Sequence, residues 1–412
     1  TTHSKWPKRR SAPSTTRTRM STETLPETAD AVIVGAGVAG CAAARALAPD
    51  HDVVVVEKGK VAAEASALAA GEVTMKPSYT DHPEVANHAI EFFRRYSGTG
   101  EFSYHEQGSY ELVSANREAK AKRRVKRLQR DEIDVSYVSA EEMGKEHPRL
   151  RRSEVAGAVH YPGTGFVDPY TFAITLKQDA ETRNATFITE TTVESVDHDE
   201  GEVIGVTTES GAIRAPTVIV AAGWWTEQLL EGTIQVPVRP YRTQCLILEP
   251  EKPLPEDFPM GWIPGEHAYF RPELNGDLLV GGWSFAEDDP ESASGQADEE
   301  FREHVASLLP RFLTEFDGAG YVDGWAGVDS ATPDTRPIID APENAPDGLI
   351  VATGFHGRGI MTAPVAATLV RSFVTGEDTE LPTQTFALNR FESYSPDFEF
   401  HSISSGGDEL ES

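Results

Sequence analysis

Three glycines near the start of the chain have the spacing of a dinucleotide-binding turn. Gly35, Gly37 and Gly40 form the pattern GxGxxG, which directly follows the apolar run at 31–34. The first glycine permits a tight turn, the second lets backbone N–H groups approach a pyrophosphate, and the third lets a helix pack against the strand. The phosphate then lies at a helix N-terminus, where the helix dipole favours an anion. The motif predicts a dinucleotide site without specifying the dinucleotide.

The elements around these glycines predict the βαβ unit that the motif requires. Residues 41–48 are small and favour a helix, and residues 53–56 form a second apolar strand that ends at Glu57. A carboxylate at this position accepts hydrogen bonds from a ribose diol and disfavours a 2′-phosphate. Strand, turn, helix, strand and acid in register therefore strengthen the prediction.

Later segments predict a second type of architecture beside this unit. Residues 217–223 read as a buried strand that closes on a glycine, and residues 347–367 repeat the order strand, glycine-rich turn, helix. Residues 237–280 alternate strand-like pieces with Pro and Gly turns, which is typical of an antiparallel sheet. The basic run at 117–130 predicts an exposed helix, with a phosphate-binding patch as the alternative.

Composition limits the classes of protein. A chain of 412 residues exceeds the size of one hydrophobic core, so two domains are expected. The 66 acidic and 37 basic residues give a net charge of −29, which repels nucleic acid and anionic membranes. This charge also suits a salt-rich, halophilic environment, as a hypothesis. Only Cys41 and Cys245 occur, so we expect no disulfide framework and a cytoplasmic protein. No metal site and no membrane span are predicted.

Several separated segments resemble the D-amino acid oxidase superfamily of flavoproteins, within its sarcosine oxidase, dimethylglycine dehydrogenase and glycine oxidase branch. The resemblance runs from about residue 30 to about residue 391, and the segments follow in the family's order. Besides GAGVAG with Glu57, they are EASALAAGEV at 64–73, GFVDPY at 165–170, TVIVAAGWW at 217–225, PYRTQ at 240–244, WAGVDSATPDTRPIID at 325–340 and GLIVATGFHGRGIMTAP at 348–364. The dinucleotide that this resemblance implies is FAD.

The resemblance also implies a fold class and a division of the chain. We expect an α/β protein with a Rossmann-like FAD-binding domain of the glutathione-reductase type and a second α+β substrate domain built on an antiparallel sheet. The FAD-binding domain would comprise residues 29–80, 151–230 and 325–393, and the substrate domain residues 81–150 and 231–324. Residues 1–28 are predicted to form a disordered basic tail, with Met20 as a candidate natural start. Residues 394–412 are predicted to form a loose acidic tail.

The family's cofactor contacts can be carried over to matching positions. Ser66 and its neighbours would lie beside the flavin ring, and the loop at 354–359 would direct backbone donors at the charge that develops on reduction. Asp334 and Arg336 would organise the neighbouring loop. The cysteine that binds flavin covalently in monomeric sarcosine oxidases is Gly327 here, so we expect non-covalent FAD. The predicted FAD-binding residues are Gly35, Gly37, Val38, Ala39, Gly40, Glu57, Lys58, Ser66, Ala70, Gly71, Val193, Ala222, Gly223, Trp225, Asp334, Gly354, His356, Gly357, Arg358, Gly359 and Ile360.

The group that would hold a substrate carboxylate differs from that of these relatives. The lysine that follows the sarcosine oxidase loop GFSGHGF is Met361 here, and the arginine that glycine oxidases carry in the WAG segment is Asp329. We expect Arg358 to supply the charge, with a structural or flavin-contacting role as the alternative. The weaker catalytic candidates are His356, Tyr269, Arg271 and Lys76.

Three functions follow from these expectations. In the leading one, an amine or amino acid of the sarcosine, glycine or D-amino acid type loses hydride to flavin N5, and oxygen or an electron-transfer acceptor reoxidises the flavin. The second is oxidation of a 2-hydroxy acid, which needs a base such as His356. The third is a non-catalytic flavoprotein with an assembly or partner-binding role. A plain NAD-dependent dehydrogenase explains nothing after residue 60, and the oligomeric state stays open.

Overall fold

The computed structural model describes residues 25–403, so most of the predicted tail at 1–28 and residues 404–412 lie outside the described chain. No helix in the described part is both long and apolar enough to cross a bilayer. The α-helices are α1 (Val38–Leu47), α2 (Ala65–Leu68), α3 (Met75–Ser78), α4 (Pro83–Tyr96), α5 (Glu118–Arg130), α6 (Ala140–Glu146), α7 (Pro169–Glu181), α8 (Thr226–Leu229), α9 (Glu299–Phe312) and α10 (Gly359–Thr375).

Within residues 25–403 the strands form four sheets. The strands are β1 (Ala31–Val34), β2 (Val53–Val56), β3 (Glu72–Val73), β4 (Tyr104–Glu106), β5 (Ser109–Val113), β6 (Ser136–Ser139), β7 (Gly157–Tyr161), β8 (Gly165–Val167), β9 (Thr186–Ile188), β10 (Val193–Asp199), β11 (Glu202–Thr208), β12 (Gly211–Arg214), β13 (Val218–Val220), β14 (Arg239–Glu249), β15 (Met260–Ile263), β16 (Ala268–Pro272), β17 (Leu278–Ala286), β18 (Gly320–Ala331), β19 (Ile338–Asp340) and β20 (Leu349–Thr353).

A six-stranded sheet forms the predicted dinucleotide-binding unit. Its strand order is β19-β20-β13-β1-β2-β9, and all neighbours are parallel except β19 and β20. The chain proceeds outward from β1 through β2 to β9 and then returns to β13 on the other side of β1. Because the order reverses beside β1, the carboxyl ends of β1 and β13 form a crevice of the kind that binds dinucleotides.

Both faces of this sheet are covered, which explains its uninterrupted apolar strands. Ala31 and Ile33 of β1 pack in a core with α1, α7 and α10, whereas Val32 and Val34 pack against the antiparallel sheet β10-β11-β12. A parallel strand between two layers must be apolar on both sides. The apolar run at 31–34 therefore correctly predicted a strand that is buried between two layers.

An eight-stranded sheet in the order β18-β14-β17-β16-β15-β5-β7-β6 forms the second half. Its neighbours are antiparallel except β15 and β5. Leu246 and Leu248 of β14 pack in a core with Phe301 of α9, on one face of the sheet. The alternating residues Thr243 and Cys245 line a cavity on the other face. One face is thus covered by helix and the other is available to a ligand.

The predicted division of the chain changes in two places. β7 and β18 belong to the eight-stranded sheet, although residues 151–230 and 325–393 were assigned to the FAD-binding domain. The physical reason for β18 is its pairing with β14 from Arg239 to Glu249. The rest of the division stays a proposal.

The segment 394–403 is packed against the protein, in contrast to the expected loose tail. Arg239 Nη1 donates a hydrogen bond of 2.7 Å to the carbonyl oxygen of Phe398. The ring of Phe400 stacks on that of His356, with centroids 5.5 Å apart, and Ile403 lines the cavity. Acidic composition alone predicted disorder, but the aromatic residues give this segment surface to bury.

Candidate functional site

The turn between β1 and α1 requires glycine at two motif positions. Gly35 has a φ of +104°, and a Cβ there would overlap the carbonyl oxygen of Ala221. A Cβ at Gly40 would overlap the carbonyl oxygen of Gly35. A side chain at either position would therefore separate backbone segments that must stay close for a pyrophosphate to bind.

Two side chains fix the backbone donors around this turn. The Glu57 carboxylate accepts hydrogen bonds of 2.8 Å from the N–H groups of Ala36 and Gly59. Ser66 Oγ accepts a hydrogen bond of 2.9 Å from the N–H of Val38, at the start of α1. A carboxylate held in this way keeps further lone pairs for ribose hydroxyls.

One cavity of about 900 Å³ runs from this turn to the open face of the eight-stranded sheet. At the turn end, Lys58 Nζ lies 3.2 Å from the ring centroid of Trp225, which stacks on Trp224. Of the predicted FAD-binding residues, Gly40, Asp334, Gly354 and His356 do not line the cavity. Those that line it are Gly35, Gly37, Val38, Ala39, Glu57, Lys58, Ser66, Ala70, Gly71, Val193, Ala222, Gly223, Trp225, Gly357, Arg358, Gly359 and Ile360.

Small side chains at 65–71 leave room for a planar ring beside the sheet. Two donors from the sheet hold this segment in place: Trp325 Nε1 donates to the carbonyl oxygen of Leu68 at 2.8 Å, and Arg271 Nε donates to that of Ala70 at 2.5 Å. A phosphate-binding turn, with a wall of small residues that leads from Ser66 at this turn towards the sheet, fits FAD in an extended conformation. These residues would hold the cofactor.

The sheet contributes one row of side chains to the cavity. Strand register places Cys245, Gly281, Tyr269, Trp262 and Glu111 side by side across β14, β17, β16, β15 and β5. A Cβ at Gly281 would overlap the ring of Tyr269, so the absence of a side chain there lets this ring lie flat along the sheet. Of the predicted catalytic candidates, Tyr269 is therefore the one that this sheet contributes to the cavity wall.

Arg358 is engaged by the protein itself. Its Nη1 donates to the carbonyl oxygen of Thr335 at 2.5 Å and to its Oγ1 at 3.2 Å, and burial lowers the pKa of the guanidinium. These bonds tie the loop at 354–359 to the loop at 332–336. The geometry favours the structural alternative for Arg358 over a substrate-binding role.

His356 lies outside the cavity, in contrast to the expectation that it serves as a base. Its Nδ1 accepts from the N–H of Thr332 at 3.3 Å, and its Nε2 donates to the carbonyl oxygen of His401 at 2.8 Å. Burial, together with the charge of Arg358, lowers the pKa of the imidazole to about 3. A neutral ring with both nitrogens bonded holds the C-terminal segment in place and cannot reach a substrate.

Two other catalytic candidates also point away from the cavity. Arg271 is buried, and besides Ala70 it contacts Glu273 at 3.0 Å. Lys76 lies across Gly163, with its Nζ 3.8 Å from a carboxylate oxygen of Asp134. Neither cation lines the cavity, because Arg271 is bound by Ala70 and Glu273 and Lys76 lies beside Asp134.

Asp334 and Arg336 organise the neighbouring loop, but not as one ion pair. Asp334 accepts from Arg390 at 2.8 Å and from the backbone N–H of Arg336 at 3.1 Å. The Arg336 side chain pairs instead with Asp81. The loop at 332–336 thereby supports the loop at 354–359, which would contact the flavin.

Asp329 and Glu72 are two of the cavity-lining acids that were not predicted as site residues. Asp329 accepts hydrogen bonds of 2.7 Å from the N–H groups of Ser330 and Gly357, and its carboxylate also lies 3.3 Å from the Tyr241 hydroxyl. Glu72 begins β3, directly after the small-residue segment. A charged residue in an otherwise small and apolar stretch was the available signal for Glu72.

The basic helix α5 has two kinds of face. Val125 and Leu128 are buried, as predicted. Part of its cationic surface faces the far end of the cavity instead of open solvent alone. The cations of this region that line the cavity are Arg117, Lys120, Arg124 and Arg127, of which Arg124 pairs with Glu111.

Comparison with known proteins gives consistent results. The family model "FAD dependent oxidoreductase" (DAO) matches residues 30–372. The glycine oxidase of Geobacillus kaustophilus is 26% identical over 376 residues, covering 88% of this chain and 97% of that protein. Its crystal structure superposes with a TM-score of 0.80 at 25% identity, covering 89% of this chain and 100% of that one. The L-proline dehydrogenase of P. horikoshii has the same fold, with a TM-score of 0.82 at 24% identity and coverage of 89% and 99%.

Proposed function

Because this chain belongs to the DAO family of FAD-dependent oxidoreductases, we propose that it oxidises an amine or amino acid to an imine, with hydride transfer to flavin N5. Glycine oxidase relatives support this proposal, because the match covers almost the whole length of each relative. The family supplies the cofactor, and the substrate must be argued from the cavity.

The choice between an amine and a 2-hydroxy acid as substrate depends on the charge of the cavity wall beside segment 65–71. Glu72 and Asp329 line this part. The cations of this region are bound by the protein, Arg358 by Thr335, Arg271 by Ala70 and Lys76 beside Asp134. Carboxylates attract an ammonium group and repel an anionic 2-hydroxy acid. His356, the base on which the hydroxy-acid alternative depended, does not reach the cavity. An amine therefore fits this wall better than a 2-hydroxy acid does.

The residues of this chain position the reactants. Bound FAD supplies the oxidant that accepts the hydride. Asp329 fixes the N–H of Gly357 and so holds the loop that would contact the pyrimidine edge of the ring. Tyr269 and Cys245 form an adjoining wall, with the hydroxyl 3.9 Å from the Sγ, and exclude water from the reacting carbon. Orientation and electrostatics are the protein's share of the reaction.

A turnover assay tests the choice between amine and hydroxy acid. Holoenzyme is offered glycine, sarcosine, dimethylglycine, proline and D-amino acids in one series and 2-hydroxy acids in another, each with oxygen or an artificial electron acceptor. We expect turnover in the first series alone. Turnover of a 2-hydroxy acid alone would contradict the proposal, and inactivity with both series would favour the non-catalytic alternative.

Replacing His356 by glutamine is expected to leave the shape of the pH profile of kcat/KM between pH 6 and 9 unchanged. The imidazole stays neutral throughout this range, because its pKa is about 3, and it lies outside the cavity. The melting temperature should fall by a few degrees, since Thr332 N–H loses its acceptor, at a cost of about 1–3 kcal/mol. Stopped-flow kinetics and thermal unfolding measure the two effects. Loss of an ionisation from the profile would assign His356 a role in proton transfer.

A further inference from the structure

Glu72 combines an unusual set of properties at the cavity wall. It follows the small-residue segment 65–71 and pairs with Phe166 of β8 in register. Its Oε1 is buried, and within residues 25–403 it has no hydrogen-bond partner. Burying a carboxyl oxygen without a donor is unfavourable. Since the side chain lines the cavity, a ligand that carries a donor is the partner that this geometry suits.

The groups that face Glu72 leave it as the available proton acceptor. Cys245 of β14 and Tyr269 of β16 belong to the eight-stranded sheet and interact electrostatically with Glu72. Burial raises the pKa of the Cys245 thiol to about 12 and that of the Tyr269 hydroxyl further above its usual range. Both therefore stay protonated near neutral pH. His105 on β4 faces Arg271, and burial followed by that cation lowers the pKa of the imidazole. Burial raises the pKa of Glu72 to about 8, and Arg271 opposes this rise.

We propose that Glu72 accepts the proton of the substrate ammonium group and thereby generates the neutral amine that is oxidised. This inference rests on the proposed amine oxidation. The ammonium N–H bond breaks, the proton moves to the Glu72 carboxylate, and the nitrogen keeps the electron pair. That pair forms the C=N bond as hydride leaves the carbon for the flavin, so that the amine loses two electrons and FAD gains them. The Glu72 proton returns to solvent after the product leaves.

Asp329, the other acid of this wall, is less suited to the same role. Its two oxygens already accept from the N–H groups of Ser330 and Gly357. Burial raises the pKa of the Asp329 carboxyl, and these two hydrogen bonds oppose the rise, because protonation would weaken them. Glu72 Oε1 has no such competing donor. We therefore assign Asp329 as a positioning residue for the loop at 354–359 and Glu72 as the proton acceptor.

The test compares wild-type holoenzyme with Glu72→Gln and the control Glu106→Gln. Glu106 lies in the same small sheet as Glu72 but pairs with Arg94 on the surface. In wild type, kcat/KM for the best amine should rise with pH through about 8, because the carboxyl must lose its own proton first. In Glu72→Gln, the rise should move to the pKa of the free amine, which is about 10 for a typical amine. At pH 8, kcat/KM of Glu72→Gln should be about 100-fold lower than that of wild type.

A second readout needs no substrate. Ionisation of a carboxyl beside the flavin should change its visible absorbance, with a midpoint near pH 8 in wild type and in Glu106→Gln but not in Glu72→Gln. Identical kinetic profiles in wild type and Glu72→Gln would overturn the inference, as would a wild-type spectral transition that persists in Glu72→Gln. Failure of the proposed function looks different, since no amine would then reduce the flavin of any variant.

Discussion

Replacing Gly40 by alanine is expected to give a protein that purifies with almost no FAD. A Cβ at this position would overlap the carbonyl oxygen of Gly35, which is backbone and cannot move aside as a flexible side chain can. Helix α1 must then shift away from β1, and the pyrophosphate loses its close approach to the backbone N–H groups. We expect the affinity for FAD to fall by about 100-fold or more, a loss of roughly 3 kcal/mol.

The ratio of flavin absorbance to protein, followed by titration of the apoprotein with FAD, measures this effect. Gly295→Ala is the matched control, because Gly295 is exposed and a Cβ there meets nothing within 4 Å. The control should bind FAD like wild type. Stoichiometric FAD in Gly40→Ala would show that the turn at 35–40 is not where the pyrophosphate binds.

Replacing Asp329 by alanine is expected to weaken both the fold and the cofactor site. The N–H of Ser330, a buried residue, and the N–H of Gly357, an exposed one, would both lose their acceptor. The unsatisfied N–H of Ser330 costs about 1–3 kcal/mol, whereas that of Gly357 can bond to water, so the melting temperature should fall by a few degrees. Because Gly357 belongs to the loop that would contact the pyrimidine edge, we also expect at least a tenfold weaker affinity for FAD.

Asp323→Ala is the control for this change. Asp323 lies on the same strand, is exposed, and accepts from the adjacent N–H of Gly324. Differential scanning calorimetry of the apoproteins and FAD titration should separate the two variants. An Asp329→Ala protein with the stability and FAD affinity of the control would refute the role of Asp329 in holding the loop.

The cofactor-binding turn could be predicted because its determinants lie close together in sequence. Gly35, Gly40 and Glu57 belong to one βαβ unit, and the contacts that require Gly40 and Glu57 form within it. The contact that requires glycine at position 35 is made by Ala221, much later in the chain. The apolar runs likewise predicted the buried strands, since a strand covered on both faces is apolar throughout. Local patterns thus suffice for the class of fold and for one end of the cavity.

The substrate end could not be predicted in the same way. The direction of a long side chain depends on partners that are distant in sequence: Arg271 donates to Ala70, and Arg358 donates to Thr335. Their residue types suggested a carboxylate clamp, and their partners direct them elsewhere. The surroundings of Glu72 similarly depend on β8, whose Phe166 pairs with it in register.

The most direct test of the central claim is anaerobic reduction of the bound flavin. Holoenzyme is mixed, without oxygen, with each amine and amino acid of the panel, and the visible absorbance of FAD is followed. We expect at least one of these compounds to bleach the flavin and 2-hydroxy acids to leave it oxidised. Readmitting air then shows whether oxygen restores the colour. A flavin that stays oxidised with every amine, or that only a 2-hydroxy acid reduces, would contradict the account.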